Sequence, residues 1–188
     1  MSSAASVGGD ERLRLFLALR LPDDVLDEVE RWQRDHLRGV RAVRREHLHV
    51  TLAFLGHRPA GEIEAIVGVL REAAVGAGEI RLAPARYRET RGVGMLVLED
   101  DGGRAALLAG DVQERLERLG VYRREGRPWL PHLTVARWNV RRSQRRPRLR
   151  LEPPAVGTFV PSDAAAYLSR LHPDGARYEV LESVALGG

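Results

Sequence analysis

The sequence contains no cysteine and no lysine. The absence of cysteine excludes disulfides, zinc–thiolate sites and cysteine nucleophiles, and the absence of lysine excludes a lysine nucleophile of the ligase or aldolase type. All 30 basic residues are therefore arginines. The chain has 26 acidic residues, so its net charge is +4 and its pI is near 10.2. Because arginine is a planar, permanently charged fork suited to phosphate, this composition modestly favours an anionic partner.

Long apolar runs are also missing. No stretch of the sequence approaches the roughly 20 apolar residues that a membrane-spanning helix needs, and residues 1–10 lack the apolar centre of a signal peptide. We therefore expect a cytoplasmic protein with no membrane partner. Residues 1–11 are expected to form a disordered leader, and residues 12–188 a single domain that is long enough to bury a sizeable core.

Apolar and polar residues alternate between positions 48 and 54. The apolar positions are Leu48, Val50, Leu52 and Phe54. This period of two predicts a β-strand with one buried face, so that His49 and Thr51 lie together on the other face. We expect Phe54 to belong to the core and residues 56–59 to end the strand.

The same pattern returns 83 residues later, where His132 and Thr134 share one face and Leu133 and Val135 the other. A single His-x-Thr would be explained most simply as a half-exposed histidine beside a threonine of good β-propensity. Two copies in matching apolar contexts instead favour a two-histidine site.

Hydrophobic periodicity predicts further strands and three amphipathic helices along the chain. Strands are expected near residues 12–19, 80–87, 93–98, 164–171 and 176–186, and helices near residues 21–39, 61–75 and 104–119. A strand, a helix, a linker and a His-x-Thr strand occur in residues 13–56 and again in residues 93–137. This weak repeat predicts a bilobal α+β fold, in which two pseudo-symmetric lobes of mostly antiparallel sheet carry helices on the outside and the active site in the cleft between them.

Two histidines on facing strands suit acid–base catalysis at phosphorus, because an imidazole can take or give a proton near pH 7. A threonine hydroxyl beside each histidine could donate a hydrogen bond to a phosphate oxygen. His47 and His49 could also form a metal pair, but Glu46, the neighbouring carboxylate, lies on the other face of the strand. We therefore expect no metal ion and no cofactor.

Four segments of the chain carry a resemblance to a known family. They are residues 12–19 (RLRLFLAL), 49–56 (HVTLAFLG), 127–137 (RPWLPHLTVAR) and 175–181 (GARYEVL). Together they resemble the 2H phosphoesterase superfamily, which paired His-x-Thr motifs define. The Phe-Leu-Gly ending of the first motif and the Ala-Arg ending of the second resemble, more narrowly, the RNA 2′,3′-cyclic phosphodiesterases, historically called 2′-5′ RNA ligases.

This resemblance implies a cofactor-free hydrolase that converts RNA 2′,3′-cyclic phosphate ends, such as those of tRNA fragments, to 2′-phosphates. It also implies that His49 donates a proton to the departing 3′ oxygen, that His132 accepts one from water, and that Thr51 and Thr134 bind the phosphate. The reverse reaction, 2′-5′ ligation, would be weak in water. Arg137 also matches the family, but strict alternation turns its side chain away from the phosphate unless the strand ends or bulges there.

Three further residues are candidates for RNA contact: Arg127, Trp129 and His47. The arginines of residues 141–150 could follow an RNA backbone, or could simply form a solvated loop. Two alternative functions remain open at this stage. The same chemistry could act on 2′-5′ oligonucleotides or on an ADP-ribose-type cyclic phosphate, or the chain could be a non-catalytic module that binds RNA ends. We expect a monomer.

Overall fold

The computed structural model describes residues 11–138, 148–173 and 175–187. Its strands are β1 (Arg12–Arg20), β2 (Arg41–Ala42), β3 (Val50–Pro59), β4 (Arg81–Glu89), β5 (Val93–Asp101), β6 (His132–Arg137), β7 (Asp163–His172) and β8 (Gly175–Val184). Its helices are α1 (Asp23–His36), α2 (Ile63–Val75) and α3 (Arg104–Arg118), with short 3₁₀ turns at Arg45–His47 and Ala60–Glu62. Most of the predicted leader, and four of the clustered arginines (Arg141, Arg142, Arg145 and Arg146), lie outside the described residues. The predicted helices and strands are confirmed, with their ends shifted by a few residues.

All eight strands belong to one antiparallel sheet, in the order β4-β5-β6-β3-β1-β7-β8, with β2 paired to β6. At the centre of the sheet, the pairing of β3 with β6 consists of Val50 opposite Leu133. The sheet therefore divides into two halves that meet at this one pair. This arrangement confirms the predicted α+β fold with two lobes of antiparallel sheet.

The helices and the inner face of the sheet form one core, which contains fully buried side chains such as Leu17, Leu52, Leu70, Leu116 and Leu133. Helix α3 packs on β3, and α2 packs on β7 and β8. Within the described residues, no helix is long and apolar enough to cross a membrane.

The opposite face of the sheet carries a second, smaller apolar cluster. Phe16 and Ala18 of β1 are buried there with Ala165 and Tyr167 of β7, and Tyr178 of β8 packs against them. Since Leu15, Leu17 and Leu19 belong to the main core, β1 is buried on both faces. A strand buried on both sides provides a rigid floor for the cleft.

Each His-x-Thr motif is followed at once by a β-bulge. In the first motif, Thr51 pairs with Ala18 and Ala53 pairs with Leu17, so that Leu52 is the extra residue. Both Leu52 and Ala53 are buried. A bulge shifts the alternation by one residue, so the side chains beyond it point to the face opposite to the one that simple alternation predicts.

The second bulge has the equivalent position. Thr134 pairs with Met95 and Ala136 pairs with Gly94, which makes Val135 the extra residue. Val135 and Ala136 are both fully buried. The two halves of the sheet therefore repeat the same motif, which is His-x-Thr followed by a bulge.

Residues 56–59, which were predicted to end β3, still belong to the strand, and β3 ends at Pro59. Gly56 has a φ of +67° and pairs with Leu15 where the register shifts again, with Leu55 as the extra residue. Glycine adopts this left-handed conformation without strain, so Gly56 bends the strand here and does not terminate it.

Candidate active site

The two motifs meet at the centre of the sheet. The antiparallel Val50–Leu133 pair places His49 beside Thr134, and Thr51 beside His132. Val50 and Leu133 are almost fully buried in the core, so the two histidines and two threonines lie on the other face. The structure therefore brings both sequence motifs together.

Both imidazoles are held in the same way. His49 Nδ1 lies 2.8 Å from the carbonyl oxygen of His47, and His132 Nδ1 lies 2.8 Å from the carbonyl oxygen of Leu130. A carbonyl oxygen can only accept a hydrogen bond, so each Nδ1 carries a proton and donates it. The Nε2 atom of each ring is left for a substrate.

Aromatic rings surround His49. The centroid of its imidazole lies 4.8 Å from that of Phe16, 5.6 Å from that of Tyr178 in an edge-on arrangement, and 6.0 Å from that of Tyr167. These rings belong to the apolar cluster on the floor of the cleft. They fix the orientation of the imidazole and remove water from one side of it.

The pKa of His49 is lowered to about 4, and burial is the largest cause. The positive charges of Arg137, His132 and His47 contribute to the lowering, while the hydrogen bond to the His47 carbonyl opposes it. In the protein without substrate, His49 is therefore neutral at pH 7.

A cavity of about 590 Å³ opens beside His49 and Thr134, and Arg137 lines it with them. Strict alternation would turn the Arg137 side chain away from the two motifs unless its strand bulges. Val135 provides that bulge. His47 also lines the cavity, where its ring centroid lies 4.4 Å from that of Tyr178. Burial lowers the pKa of His47 as well.

The other two candidates for RNA contact lie elsewhere. Trp129 is half-buried and its Nε1 donates a hydrogen bond to the Thr51 carbonyl at 3.0 Å. Arg127 is exposed and its Nε lies 2.6 Å from a carboxylate oxygen of Glu125. Neither is among the described residues that line the cavity. Trp129 thus braces the first motif through its backbone.

The expectation that Phe54 belongs to the core is wrong, because its side chain is 47% exposed. The bulge at Leu52 turns Phe54 to the cleft face, where its ring centroid lies 6.5 Å from that of Phe16. The guanidinium of Arg14 lies over the ring, 4.8 Å from its centroid.

Two glutamines that sequence reasoning did not single out hold the bulges. Gln33 of α1 is buried, and its Nε2 donates to the carbonyls of Val135 at 2.8 Å and Val43 at 3.0 Å. Gln113 of α3 donates from Nε2 to the carbonyl of Leu52 at 2.9 Å. The helix of each half therefore binds the bulge of the other half. The internal repeat was the signal in the sequence that could have revealed this pair.

Four arginines that sequence reasoning also missed line the cavity with Tyr178: Arg14, Arg41, Arg44 and Arg177. In a chain whose basic residues are all arginine, composition cannot separate them from ordinary surface arginines. Among the described residues, no group of three or more histidine or carboxylate side chains is placed to hold a metal ion.

A curled antiparallel sheet with a His-x-Thr motif on each side of its cleft defines a two-histidine phosphoesterase. The family model of the 2′-5′ RNA ligase superfamily matches residues 21–172, and the chain belongs to this superfamily. This result confirms the resemblance found in the sequence.

Two relatives and one solved structure agree with this family assignment. The chain is 32% identical over 197 aligned positions to an RNA 2′,3′-cyclic phosphodiesterase of Thermus thermophilus, covering 94% of this chain and 91% of the relative. It is 25% identical over 175 residues to an RNA 2′,3′-cyclic phosphodiesterase of Methanocaldococcus jannaschii, covering 90% and 99%. The fold matches that of E. coli LigT, solved with NADP+, with a TM-score of 0.79 at 24% identity over 95% of this chain and 100% of that chain.

Proposed function

We propose that this protein hydrolyses RNA 2′,3′-cyclic phosphate ends to 2′-phosphomonoesters by acid–base catalysis between His49 and His132, without a metal ion. The observation that carries the proposal is the matched orientation of the two imidazoles, each with its Nδ1 bound to a carbonyl and its Nε2 left for substrate. The names of the two relatives support the choice of RNA as substrate. We propose that the protein acts as a cytoplasmic monomer.

In this reaction a water molecule attacks the phosphorus atom while His132 Nε2 accepts its proton. The bond between phosphorus and the 3′ oxygen breaks, and His49 Nε2 donates a proton to that oxygen. The hydroxyls of Thr51 and Thr134 donate hydrogen bonds to the non-bridging phosphate oxygens, and Arg137 offsets the charge that develops on them. The reverse sequence, with an RNA 5′-hydroxyl in place of water, would form a 2′-5′ bond, and we expect it to be slow in excess water.

The low pKa of His49 bears directly on these roles, because a proton donor must be protonated when substrate is bound. We propose that the negative charge of the cyclic phosphate raises the pKa of His49 on binding, so that the imidazole gains its proton in the complex. The pH dependence of kcat/KM reports the free enzyme. A limb near pH 4 would show that the ionisation of His49 in the free enzyme governs activity, whichever of the two roles the residue has.

The test uses a short RNA with a 2′,3′-cyclic phosphate end, incubated with the purified protein in EDTA. We expect a product that comigrates with the 2′-phosphate standard and not with the 3′-phosphate standard. His49→Ala and His132→Ala should each form this product about 10²- to 10⁴-fold more slowly. His57→Ala is the matched control, because His57 is an exposed histidine on β3 away from the motif.

Each contrary result has a definite meaning. An intact cyclic end on RNA that stays bound to the protein would favour a non-catalytic module for RNA ends. Turnover of 2′-5′ oligonucleotides or of an ADP-ribose-type cyclic phosphate, but not of RNA, would keep the chemistry and change the substrate. Activity that EDTA removes and a divalent ion restores would contradict the metal-free mechanism.

A further inference from the structure

We propose that Arg86 and Arg88 of β4 bind the sugar–phosphate backbone of a second RNA strand, the one whose 5′-hydroxyl replaces water in the 2′-5′ joining reaction. This inference rests on the proposed function and adds to it a site for the acceptor strand. Because hydrolysis by water has no acceptor strand, the two activities can be measured separately. Arg86 and Arg88 are called the β4 arginine pair below.

The register of the sheet places the β4 arginine pair on the same face as the second motif. Two rows of directly opposed residues cross β6, β5 and β4, with His132, Val97 and Arg86 in one row and Thr134, Met95 and Arg88 in the next. Directly opposed residues of antiparallel strands lie on one face. Tyr87, between the two arginines, packs against the main core on the other face. Both arginines therefore share the face of the catalytic histidines.

The position of the β4 arginine pair suits contact with a strand. Neighbouring strands lie about 4.8 Å apart, so the backbone of β4 lies about 10 Å from that of β6. β4 is an edge of the sheet in the described residues, and both arginines are exposed. An RNA strand that ends beside His132 and runs over β5 would bring its next phosphates to these two side chains.

The direction of the joining reaction places the acceptor strand on this side of the cleft. In phosphoryl transfer the attacking and leaving oxygens lie roughly in line, on opposite sides of phosphorus. The 5′ oxygen of the acceptor forms a bond to phosphorus and loses its proton to His132 Nε2. The bond from phosphorus to the 3′ oxygen breaks, and that oxygen gains a proton from His49 Nε2. The acceptor therefore reacts beside His132, and its chain can continue over β5 towards β4.

The β4 arginine pair is available to an anion. Among the residues that the structure describes, no carboxylate forms an ion pair with either guanidinium, whereas Arg81 of the same strand pairs with Glu79. Glu99 lies two residues beyond Val97 on the same face and marks the end of the basic surface. Arginines without a carboxylate partner attract the phosphates of a nucleic acid backbone.

The first half of the sheet has different residues at the equivalent positions. There the row that starts at Thr51 passes through Ala18 of β1 to Ala165 of β7. The neighbouring position on the same face of β7 is Asp163, whose carboxylate lies 3.2 Å from a guanidinium nitrogen of Arg20. The internal repeat supplies similar backbones in both halves, so the β4 arginine pair is a feature of the second half alone. This asymmetry matches a reaction in which one strand enters beside each histidine.

The experiment follows an RNA with a 2′,3′-cyclic phosphate end in an excess of RNA with a 5′-hydroxyl, and measures the ratio of 2′-5′ joined product to 2′-phosphate product. Arg86→Gln and Arg88→Gln should each lower this ratio about two- to fivefold, the effect of one exposed ion pair, and the double variant should lower it about 10-fold. Arg86→Lys and Arg88→Lys keep the charge and should retain most of the ratio. Higher salt should lower the ratio more steeply in the wild type than in the double variant.

Two controls isolate the contact with the acceptor strand. Arg81→Gln removes an exposed arginine of the same strand that already pairs with Glu79, so it should keep the wild-type ratio. Adenosine has a 5′-hydroxyl but no phosphate, so with adenosine as acceptor the wild type and the double variant should give equal ratios. If the double variant fails to fold by circular dichroism, the two single variants provide the same test.

The outcomes also separate this inference from the proposed function. If the wild type hydrolyses the cyclic end but forms no joined product at any concentration of acceptor RNA, the acceptor site is wrong and the hydrolase stands. If it forms neither product, the proposed function itself fails. Variants that lower joining and hydrolysis by the same factor leave the ratio unchanged. That result would assign the β4 arginine pair to the strand with the cyclic end or to the fold, and would overturn the inference.

Discussion

His49 and His132 make the same hydrogen bond in different surroundings. Each donates from Nδ1 to the carbonyl two residues earlier at 2.8 Å, but the bond of His49 is partly buried and that of His132 is exposed. His49 packs against the rings of Phe16, Tyr167 and Tyr178. The repeat of strand, helix and motif supplies two equivalent backbone positions, and the neighbouring strands then make the two imidazoles different.

The source of this difference lies in the sheet order. Beyond the β3–β1 pair the sheet continues with β7 and β8, whereas beyond the β6–β5 pair it ends, in the described residues, with β4. Tyr178 of β8 contacts both His47 and His49. An enzyme that needs one acid and one base gains from such asymmetry, because groups in different environments acquire different pKa values.

The largest expected effect is the loss of either histidine. His49→Ala and His132→Ala should each lower kcat by about 10²- to 10⁴-fold, the usual contribution of one general acid or base. Because the two act in one concerted step, the double variant should lose little more than either single variant. Single-turnover hydrolysis of cyclic-phosphate RNA measures this, and losses that simply multiply would contradict a concerted role.

The threonines provide the next comparison. Thr51→Val and Thr134→Val keep the side-chain shape and remove one hydroxyl donor, so each should lower kcat by about 10²-fold. Thr134 lines the cavity, whereas Thr51 is not among its described lining residues. Steady-state kinetics on cyclic-phosphate RNA measures both values, and a variant that keeps the wild-type kcat would show that its threonine does not bind the phosphate.

Alternation of side chains was enough to predict the two motifs and the lobes that carry them, because strand periodicity is a local property. It failed for Phe54, and for Arg137 it left the orientation open. Both residues follow a bulge, at Leu52 and Val135 respectively. A bulge depends on the register with a neighbouring strand that is distant in sequence, so periodicity within one strand cannot reveal it.

The sequence could not predict, for a different reason, that several arginines line the cavity beside His49. Arg14, Arg41 and Arg177 come from three separate strands, and only the order of strands in the sheet brings them to one place. Gly175 carries no visible signal in the sequence, since a glycine after a turn is ordinary. Its contact with Arg41 becomes apparent only when β2 and β8 are placed together.

A third prediction concerns the free energy of unfolding and the histidine of the first motif, His49. In the folded protein the pKa of His49 is lowered to about 4 from its ordinary 6.5. Between these two values the unfolded chain takes up a proton that the folded chain does not, so the free energy of unfolding falls as the pH falls from 6.5 to 4. The loss should reach about 2–3 kcal/mol.

Denaturant unfolding of the wild type and of His49→Gln at several pH values measures this contribution. The variant keeps a polar side chain of similar length that does not titrate, so its stability should depend less on pH in this window. His57→Gln, at an exposed position on the same strand, should behave as the wild type. If the free energy of unfolding of His49→Gln changes with pH as much as that of the wild type, His49 is not buried in its neutral form.

The smallest expected effect concerns the two glutamines that hold the bulges. Gln33 is buried and binds two carbonyls, whereas Gln113 is partly buried and binds one. Replacement by leucine removes these hydrogen bonds, although the Val135 carbonyl still accepts one from the Val43 amide. Gln33→Leu should lower the free energy of unfolding by about 1–3 kcal/mol and Gln113→Leu by about 1 kcal/mol. Chemical denaturation measures both values.

Kinetics can then show whether the glutamines position the site or only stabilise the fold. Gln33 binds the carbonyl of the bulge that turns Arg137 into the cavity, so Gln33→Leu should raise KM in the wild-type background and have little effect in an Arg137→Ala background. Gln113 holds the other bulge, and its replacement should add to the Arg137→Ala effect. Additive effects for both glutamines would mean that the bulge at Val135 does not orient Arg137, because residues that act through one another do not contribute independently.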